Sequence, residues 1–326
     1  MKKSVSDRKG SSKKRILVLY YSQTGQLEQA VRSMLSPLEE CPTVELVYEN
    51  LQPKIPYPFP WPIIDFMDVF PESVYMDPPE MVPVGFDPDS HFDLVILAYQ
   101  VWFLSPSLPV TGFLKSGAAR VLKGRPVITF IACRNMWLTA QEKMKASLKS
   151  LGATLIDNVV LIDQGPAWST FITTPRWLLT GKRGRFWRVF PPAGVAPGDI
   201  ARAVRFGRAL ADSLDKLESA PGKPLLWGLG AVKVNPRFIA GEKIAHRGFS
   251  LWGRFFRMIG KQGNRLRRSL LVLYLLFLFC MITVMLPISI VVRALAQPFI
   301  RKRLQEGVLR LEEPSGSSTE RMARYL

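Results

Sequence analysis

A chain of 326 residues with 48% hydrophobic side chains can bury a sizeable core, and three scattered cysteines, Cys41, Cys133 and Cys280, exclude a disulfide framework or a cysteine metal cluster. The net charge of +18 sits in the tails: residues 1–15 carry +6, residues 16–219 carry −1 and residues 220–326 carry +13. Such tails attract nucleic acid or an anionic membrane, and no base-stacking or groove-reading element accompanies them, so nucleic acid is excluded as a partner.

Residues 1–14 are charged and have no apolar run of the secretory kind, which predicts a disordered basic N-terminus on the cytoplasmic side. Residues 15–21 (RILVLYY) predict a buried strand, and residues 26–35 a helix with Leu27, Ala30, Val31, Met34 and Leu35 on one face. A second strand follows at 43–48. Residues 51–90, rich in proline and aromatics, are an insertion that replaces at least part of the second crossover helix. Residues 93–99 (DLVILAY) are continuously apolar, as in a parallel strand covered on both faces.

A helix near 109–116 and a strand at 125–132 come next. Residues 139–150 predict a helix with Thr139 as N-cap and Glu142 completing a capping box. Residues 154–163 are a fifth strand, and 199–218 a last helix capped by Asp199. Five strands alternating with helices predict an α/β fold, a doubly wound five-stranded parallel sheet over residues 15–219.

Beyond residue 219 the composition changes. Residues 220–268 are basic and amphipathic, and FSLWGRFFRMIGK (249–261) has the mix of a helix lying among lipid headgroups. Residues 269–292 are 24 uncharged residues, the length and composition of a bilayer-embedded helix. Residues 293–326 are a basic, then polar, tail. Arg254, Arg257, Lys261, Arg265, Arg267 and Arg268 flank one side, and Arg293, Arg301, Lys302 and Arg303 the other. Pro287 can break the helix. Two topologies fit: a single span, or a re-entrant or interfacial helix with both ends cytoplasmic. Deletion of residues 249–326 is expected to release the chain from membranes without touching the sheet domain.

In a doubly wound sheet, ligands sit outside the carboxyl ends of the strands, where loops 22–26, 100–106 and 132–138 converge. The first loop, Ser22-Gln23-Thr24-Gly25-Gln26, opens a helix, where unpaired N–H groups and the dipole favour an anion. Hydroxyls and a glycine there could hold a phosphate monoester without a cationic side chain. An ordinary capped strand–helix turn has the same composition.

YSQTGQ after ILVLY resembles the flavodoxin phosphate loop, of form hydroxyl-x-Thr-Gly-x-Thr; Ser22, Thr24 and Gly25 match, and Leu27 replaces the last Thr. FDLVILAYQVWFLSPSLPVTGFLKS (92–116) and GRPVITFIACRNMW (124–137) resemble the two flavin-contacting segments of that family. The resemblance spans residues 15–170 and implies FMN. It implies that Ser22, Gln23, Thr24, Gly25 and Gln26 cradle the phosphate, that Gln100, Val101, Trp102 and Phe103 flank the ring, with Trp102 stacked on it or covering its edge, and that Cys133, Arg134 and Asn135 meet its polar edge.

LYYSQTGQL and CRNMW further resemble the bacterial dialkylresorcinol-condensing enzyme group, associated with aromatising a dialkylcyclohexanedione to a dialkylresorcinol. That implies a lipophilic substrate, an anionic membrane surface on the cytoplasmic side of the inner membrane, and a ketosynthase or acyl carrier protein as partner. Tyr99, Arg134 and Asp163 are the candidate catalytic groups. A membrane-bound NAD(P)H quinone reductase and a membrane-tethered redox or scaffold partner are the alternatives.

Overall fold

The structure, a computed structural model, describes residues 13–326, apart from the side chains of residues 218 and 285–306. Most of the basic N-terminus and the side chains of Pro287, Arg293, Arg301, Lys302 and Arg303 therefore lie outside the described part.

In chain order the elements are β1 (Lys14–Tyr20), α1 (Gln26–Glu39), β2 (Val44–Asn50), α2 (Ile63–Asp68), α3 (Phe70–Tyr75), β3 (Leu94–Tyr99), β4 (Val101–Trp102), β5 (Ser105–Pro106) and α4 (Leu108–Lys115). Then come β6 (Pro126–Cys133), α5 (Leu138–Ser150), β7 (Thr154–Ile162), α6 (Thr170–Thr180), α7 (Pro197–Arg202), α8 (Val204–Ala211) and α9 (Lys216–Ser219). Three more follow: α10 (Pro236–Ile259), α11 (Arg265–Glu312) and α12 (Met322–Tyr325).

The main sheet runs β2-β1-β3-β6-β7, parallel throughout. Counted along the chain that is 2-1-3-4-5, the flavodoxin-like doubly wound order. All six residues of β3 are buried, because a central parallel strand has helices on both faces. α1 meets α8 at Gly207, where a Cβ would fall 1.8 Å from the Met34 carbonyl oxygen. Gly207→Ala should therefore force the two helices apart and lower stability by roughly 3 kcal/mol, read as a fall in the urea midpoint.

β7 pairs with β6 through a bulge: Val127 faces Leu155 and Ile128 faces Asp157, so Ile156 is the extra residue. The outer edge of β7 is covered. Val160 N–H donates to the Ala231 carbonyl, and C-terminal residues lie beside that segment through Gly230 N–H to Ser318 O and Val232 N–H to Gly316 O. Buried Asp157 ties the layers together. It accepts from Leu225 N–H (2.7 Å), Leu226 N–H (3.2 Å) and the Ser315 hydroxyl (2.7 Å), and Ser315 Oγ accepts from Asn158 N–H. Tyr325 joins the main core.

Several local expectations change. The helix expected over 199–218 is three short ones, because the chain tightens into i→i+3 bonds near Ala203 and again near Ser213. Asp199 is not a cap but lies in the first turn of α7, paired with Arg202. No capping box forms on α5: Thr139 N–H donates to the Glu242 carboxylate of α10, while Glu142 pairs with Lys145. The insertion folds partly into α2 and α3.

α10 and α11 pack on α2 and α3. In the 249–261 segment one face is packed, with Phe256 buried and Gly253 against the Tyr75 ring, while Leu251, Phe255 and Met258 are exposed. Half of the expected basic flank is already paired: Arg257 with Asp77, Arg268 with Asp65, and Arg267 with Asp68 and Glu72. Arg254, Lys261 and Arg265 are exposed. Arg265–Val284 is the helical stretch among the described residues that is long and apolar enough to cross a membrane.

Candidate functional site

Three loops meet at the carboxyl ends of β1, β3 and β6, and each has a residue with left-handed backbone: Gly25 (φ 78°), Phe103 and Leu104 (φ 46° and 61°), and Met136 (φ 53°). Left-handed non-glycine residues cost about 1–3 kcal/mol each and persist where the surroundings over-determine them. Phe103-Leu104 is the tight turn of the β4–β5 hairpin, a position where Asn-Gly is the easy choice. Packing holds it: Phe103 lies against Phe66 (4.9 Å), Phe70 (5.2 Å) and Phe249 (6.2 Å), and Leu104 is buried.

In the first loop Gly25 is the N-cap of α1, and nothing lies within 4 Å of where its Cβ would be. The first N–H groups of a helix have no intrahelical acceptor. Thr24 Oγ1 is buried without a hydrogen-bond partner. This donor set suits a phosphate monoester. Ser22 Oγ accepts from Glu28 N–H at 3.3 Å, leaving its own proton available.

The two glutamines have other work. Gln23 N–H donates to Gln100 Oε1 (3.1 Å), its Oε1 accepts from the Tyr21 hydroxyl (2.6 Å), and its Nε2 donates to the Pro58 carbonyl (2.8 Å). It therefore knits the first loop to the second and to the insertion. Gln26 is locked to Val195 by two bonds, Nε2 to O (3.1 Å) and Val195 N–H to Oε1 (3.0 Å). Of these two residues only the main-chain N–H of Gln26, at the start of α1, remains open to a phosphate; the Gln23 N–H is taken and its carbonyl oxygen is an acceptor. Of the five residues expected to cradle the phosphate, Gln23 therefore acts as a tie between loops.

Trp102 is half-buried in an aromatic cluster, edge-to-face with Tyr21 (5.8 Å), Tyr57 (5.1 Å) and Trp61 (5.5 Å). The insertion thus builds one wall beside the loops, Tyr57 stacked on Trp61. A cavity of about 350 Å³ opens elsewhere in the insertion, lined by Leu51, Met81, Val84, Phe86 and Phe113, and takes in none of the three loops.

In the third loop Arg134 stacks over the Phe171 ring at 4.1 Å, so α6 reaches across it. Burial lowers the Arg134 pKa, which the nearby Asp163 carboxylate partly offsets. Burial pushes the Cys133 thiol up, which suits an apolar filler rather than a nucleophile. Asn135 Oδ1 accepts from Met136 N–H.

Two candidate catalytic groups are engaged structurally. The Tyr99 hydroxyl is fully buried and donates to Gln141 Oε1 at 2.7 Å, and burial raises its pKa well above normal, so Tyr99 is withdrawn as a base. Asp163, also pushed up by burial, accepts from Gly165 and Gly194 N–H and so shapes the strap over α1. Arg134, stacked on Phe171, and Asp163, whose N–H donates to the Cys133 carbonyl at 2.9 Å, both stay at the third loop, each within reach of the other's charge.

Composition alone places two segments beside the site, the proline-aromatic 51–90 and the basic 165–190, which could close over it; Lys143 is the contributor that only the structure brings in. α6 and the Trp61 segment leave Trp61 Nε1, Thr173 Oγ1 and Thr174 Oγ1 buried and unpartnered, and the two segments meet through the Trp61 main-chain N–H, which donates to the Leu178 carbonyl at 2.9 Å. Lys143, its amine lowered to about 8 by burial, ties the hairpin down through Ser105 Oγ and Val74 O, both at 2.8 Å. The basic 176–190 piece is partly internal: Arg176 and Arg183 donate to main-chain carbonyls, leaving Lys182, Arg185 and Arg188 outside. Lys143 reads in the sequence as one of the surface cations of an amphipathic helix, and nothing local marks it as the tie to the hairpin.

No protein-family model matches the chain, and no curated protein matches it. Solved structures do. A flavoprotein in complex with FMN from Lactobacillus acidophilus is 17% identical, covering 45% of this chain and 93% of that chain with a TM-score of 0.37. A flavodoxin from the domain Archaea is 10% identical, covering 62% and 99% with a TM-score of 0.35. The Trp repressor binding protein from Bacillus subtilis is 10% identical, covering 51% and 98% with a TM-score of 0.28. At these values the fold assignment rests on the strand order and register of this chain itself.

Proposed function

We propose that the chain is an FMN-dependent oxidoreductase working at a membrane on a lipophilic ring substrate, with aromatisation of a dialkylcyclohexanedione to a dialkylresorcinol as its reaction. The observation that carries the cofactor is the turn into α1. A left-handed Gly25 with open space over it, the unpaired amides of a helix start and the orphaned Thr24 hydroxyl converge at one point, inside the 2-1-3-4-5 sheet. FMN, when bound, supplies a ring that accepts a hydride.

The chain's own residues do the rest. Ser22, Thr24, Gly25 and the amides that follow hold the phosphate. Gln23 and Gln100 hold the first two loops at fixed spacing. Trp102 and Tyr57 exclude water from one side, and Arg134 favours negative charge at the third loop. The membrane half of the reading rests on a continuous aromatic path. Tyr274 of α11 stacks on Phe70 (5.5 Å), and Phe70 meets Phe103 (5.2 Å), the neighbour of Trp102. A greasy product made beside Trp102 is thus next to the apolar helices. Exposed Arg254, Lys261 and Arg265 suit an anionic cytoplasmic leaflet. A ketosynthase or acyl carrier protein is the partner class that would supply the substrate.

The absorbance spectrum of the detergent-purified full chain tests this first: it should show bound flavin. Gly25→Val, which forces a β-branched residue into left-handed backbone, should weaken FMN binding about tenfold or more. Anaerobic mixing with a dialkylcyclohexanedione should then bleach the flavin. Bleaching by NADPH instead identifies the quinone reductase, and a colourless chain that takes up no FMN identifies the tethered partner.

A further inference from the structure

We propose that the apolar segment of α11 enters and leaves the bilayer on one face, so that both its ends and the whole sheet domain share one side. This rests on the membrane reading above and decides between its two topologies.

The outgoing end is fastened to the insertion. The fully buried Arg267 guanidinium contacts Asp68 and Glu72, and Leu271 and Tyr274 are buried against the same helices. The returning end is fastened to the far edge of the sheet. Glu312 accepts from Val234 N–H at 3.0 Å, Ser315 binds Asp157, and Arg321 donates to the Leu225 and Trp227 carbonyls. A single crossing would set the two ends about 30 Å apart across hydrocarbon. One domain cannot hold both ends across that gap, because each end is buried in it.

The occupant of the space around α11 is lipid. Leu273, Leu276, Phe279 and Val284 are exposed along it, and Leu251 and Met258 extend the same kind of surface onto α10. No charge interrupts residues 269–292, and cations stand at both ends. Between Leu270 and Phe279 the described exposed side chains are apolar, which gives a water-facing partner little to orient on.

The full chain, with different epitope tags at its two termini, is synthesised in the presence of vesicles of phosphatidylethanolamine and phosphatidylglycerol, floated, washed with alkaline carbonate and treated with external protease. The chain should float, resist carbonate, and lose or keep both tags in the same proportion. One tag cut while the other is protected until detergent is added overturns the proposal and leaves the membrane reading standing. A chain that does not float, that carbonate strips, or that self-associates in water without lipid overturns both. Leu276→Arg with Phe279→Arg, at positions exposed in the structure, should reduce the floated fraction about tenfold or more with unchanged far-ultraviolet circular dichroism. Unchanged flotation excludes lipid as the occupant.

Discussion

Asp157→Ala will leave the sheet domain about 3–5 kcal/mol less stable than the wild type, a fall in Tm of about 10 °C. Three donors converge on the buried carboxylate at the β7 edge: Leu225 N–H, Leu226 N–H and the Ser315 hydroxyl. Alanine leaves all three buried and unpaired. Truncation before Glu312 should be nearly as damaging, since it removes Ser315 and uncovers the β7 edge.

The wild type should also show a pH signature there. Burial outweighs the three hydrogen bonds and the Arg321 charge and raises the Asp157 carboxyl from 3.8 to about 6. The native state therefore binds more protons than the unfolded chain between these values. The proton's contribution, roughly 3 kcal/mol, is fully present below pH ~4 and lost as pH rises through ~6. Urea unfolding of the wild type and Asp157→Asn, compared at pH 4 and pH 7, should show this change in the wild type alone.

Arg267→Ala is expected to cost about 3–5 kcal/mol and to detach α11 from the insertion. Nε lies 2.8 Å from Asp68 Oδ1, an ion-pair contact whose angle is poor for a hydrogen bond, and the terminal nitrogens reach Glu72 Oε1 (2.8 Å) and Oε2 and the Asp68 and Gly260 carbonyls. Without the guanidinium, two carboxylates remain beside each other in an apolar wall. Burial already raises the Asp68 carboxyl despite its hydrogen bond from Gly263 and the charge of Arg267. The variant's deficit should therefore shrink as pH falls and Asp68 takes up a proton, read by circular dichroism melts across an acid series. Limited proteolysis should cut near residue 264 in the variant and not in the wild type.

The two sites show where local reading stops. Asp157 sits in TLIDNVVLID, which reads as a strand whatever Asp157 does; its partners lie 68 and 158 residues away. Arg267 reads as one more cation on a membrane flank, yet it is fully buried, because Asp68 and Glu72 approach from an insertion two hundred residues earlier. The expected release of a tail at residue 249 rested on the same blindness: composition marks 293–326 as polar, whereas Tyr325 packs in the main core.

The strands, their parallel burial and the hydroxyl-glycine turn were readable from residue order, because apolar periodicity, strand length and a glycine at a helix start are local consequences of backbone geometry and solvent avoidance. Arrangement was a different matter. Which loops the two glutamines tie together, which arginine is buried, and where the last fifteen residues return depend on pairings between distant segments, whose energies exist only once the sheet has brought them within hydrogen-bond reach.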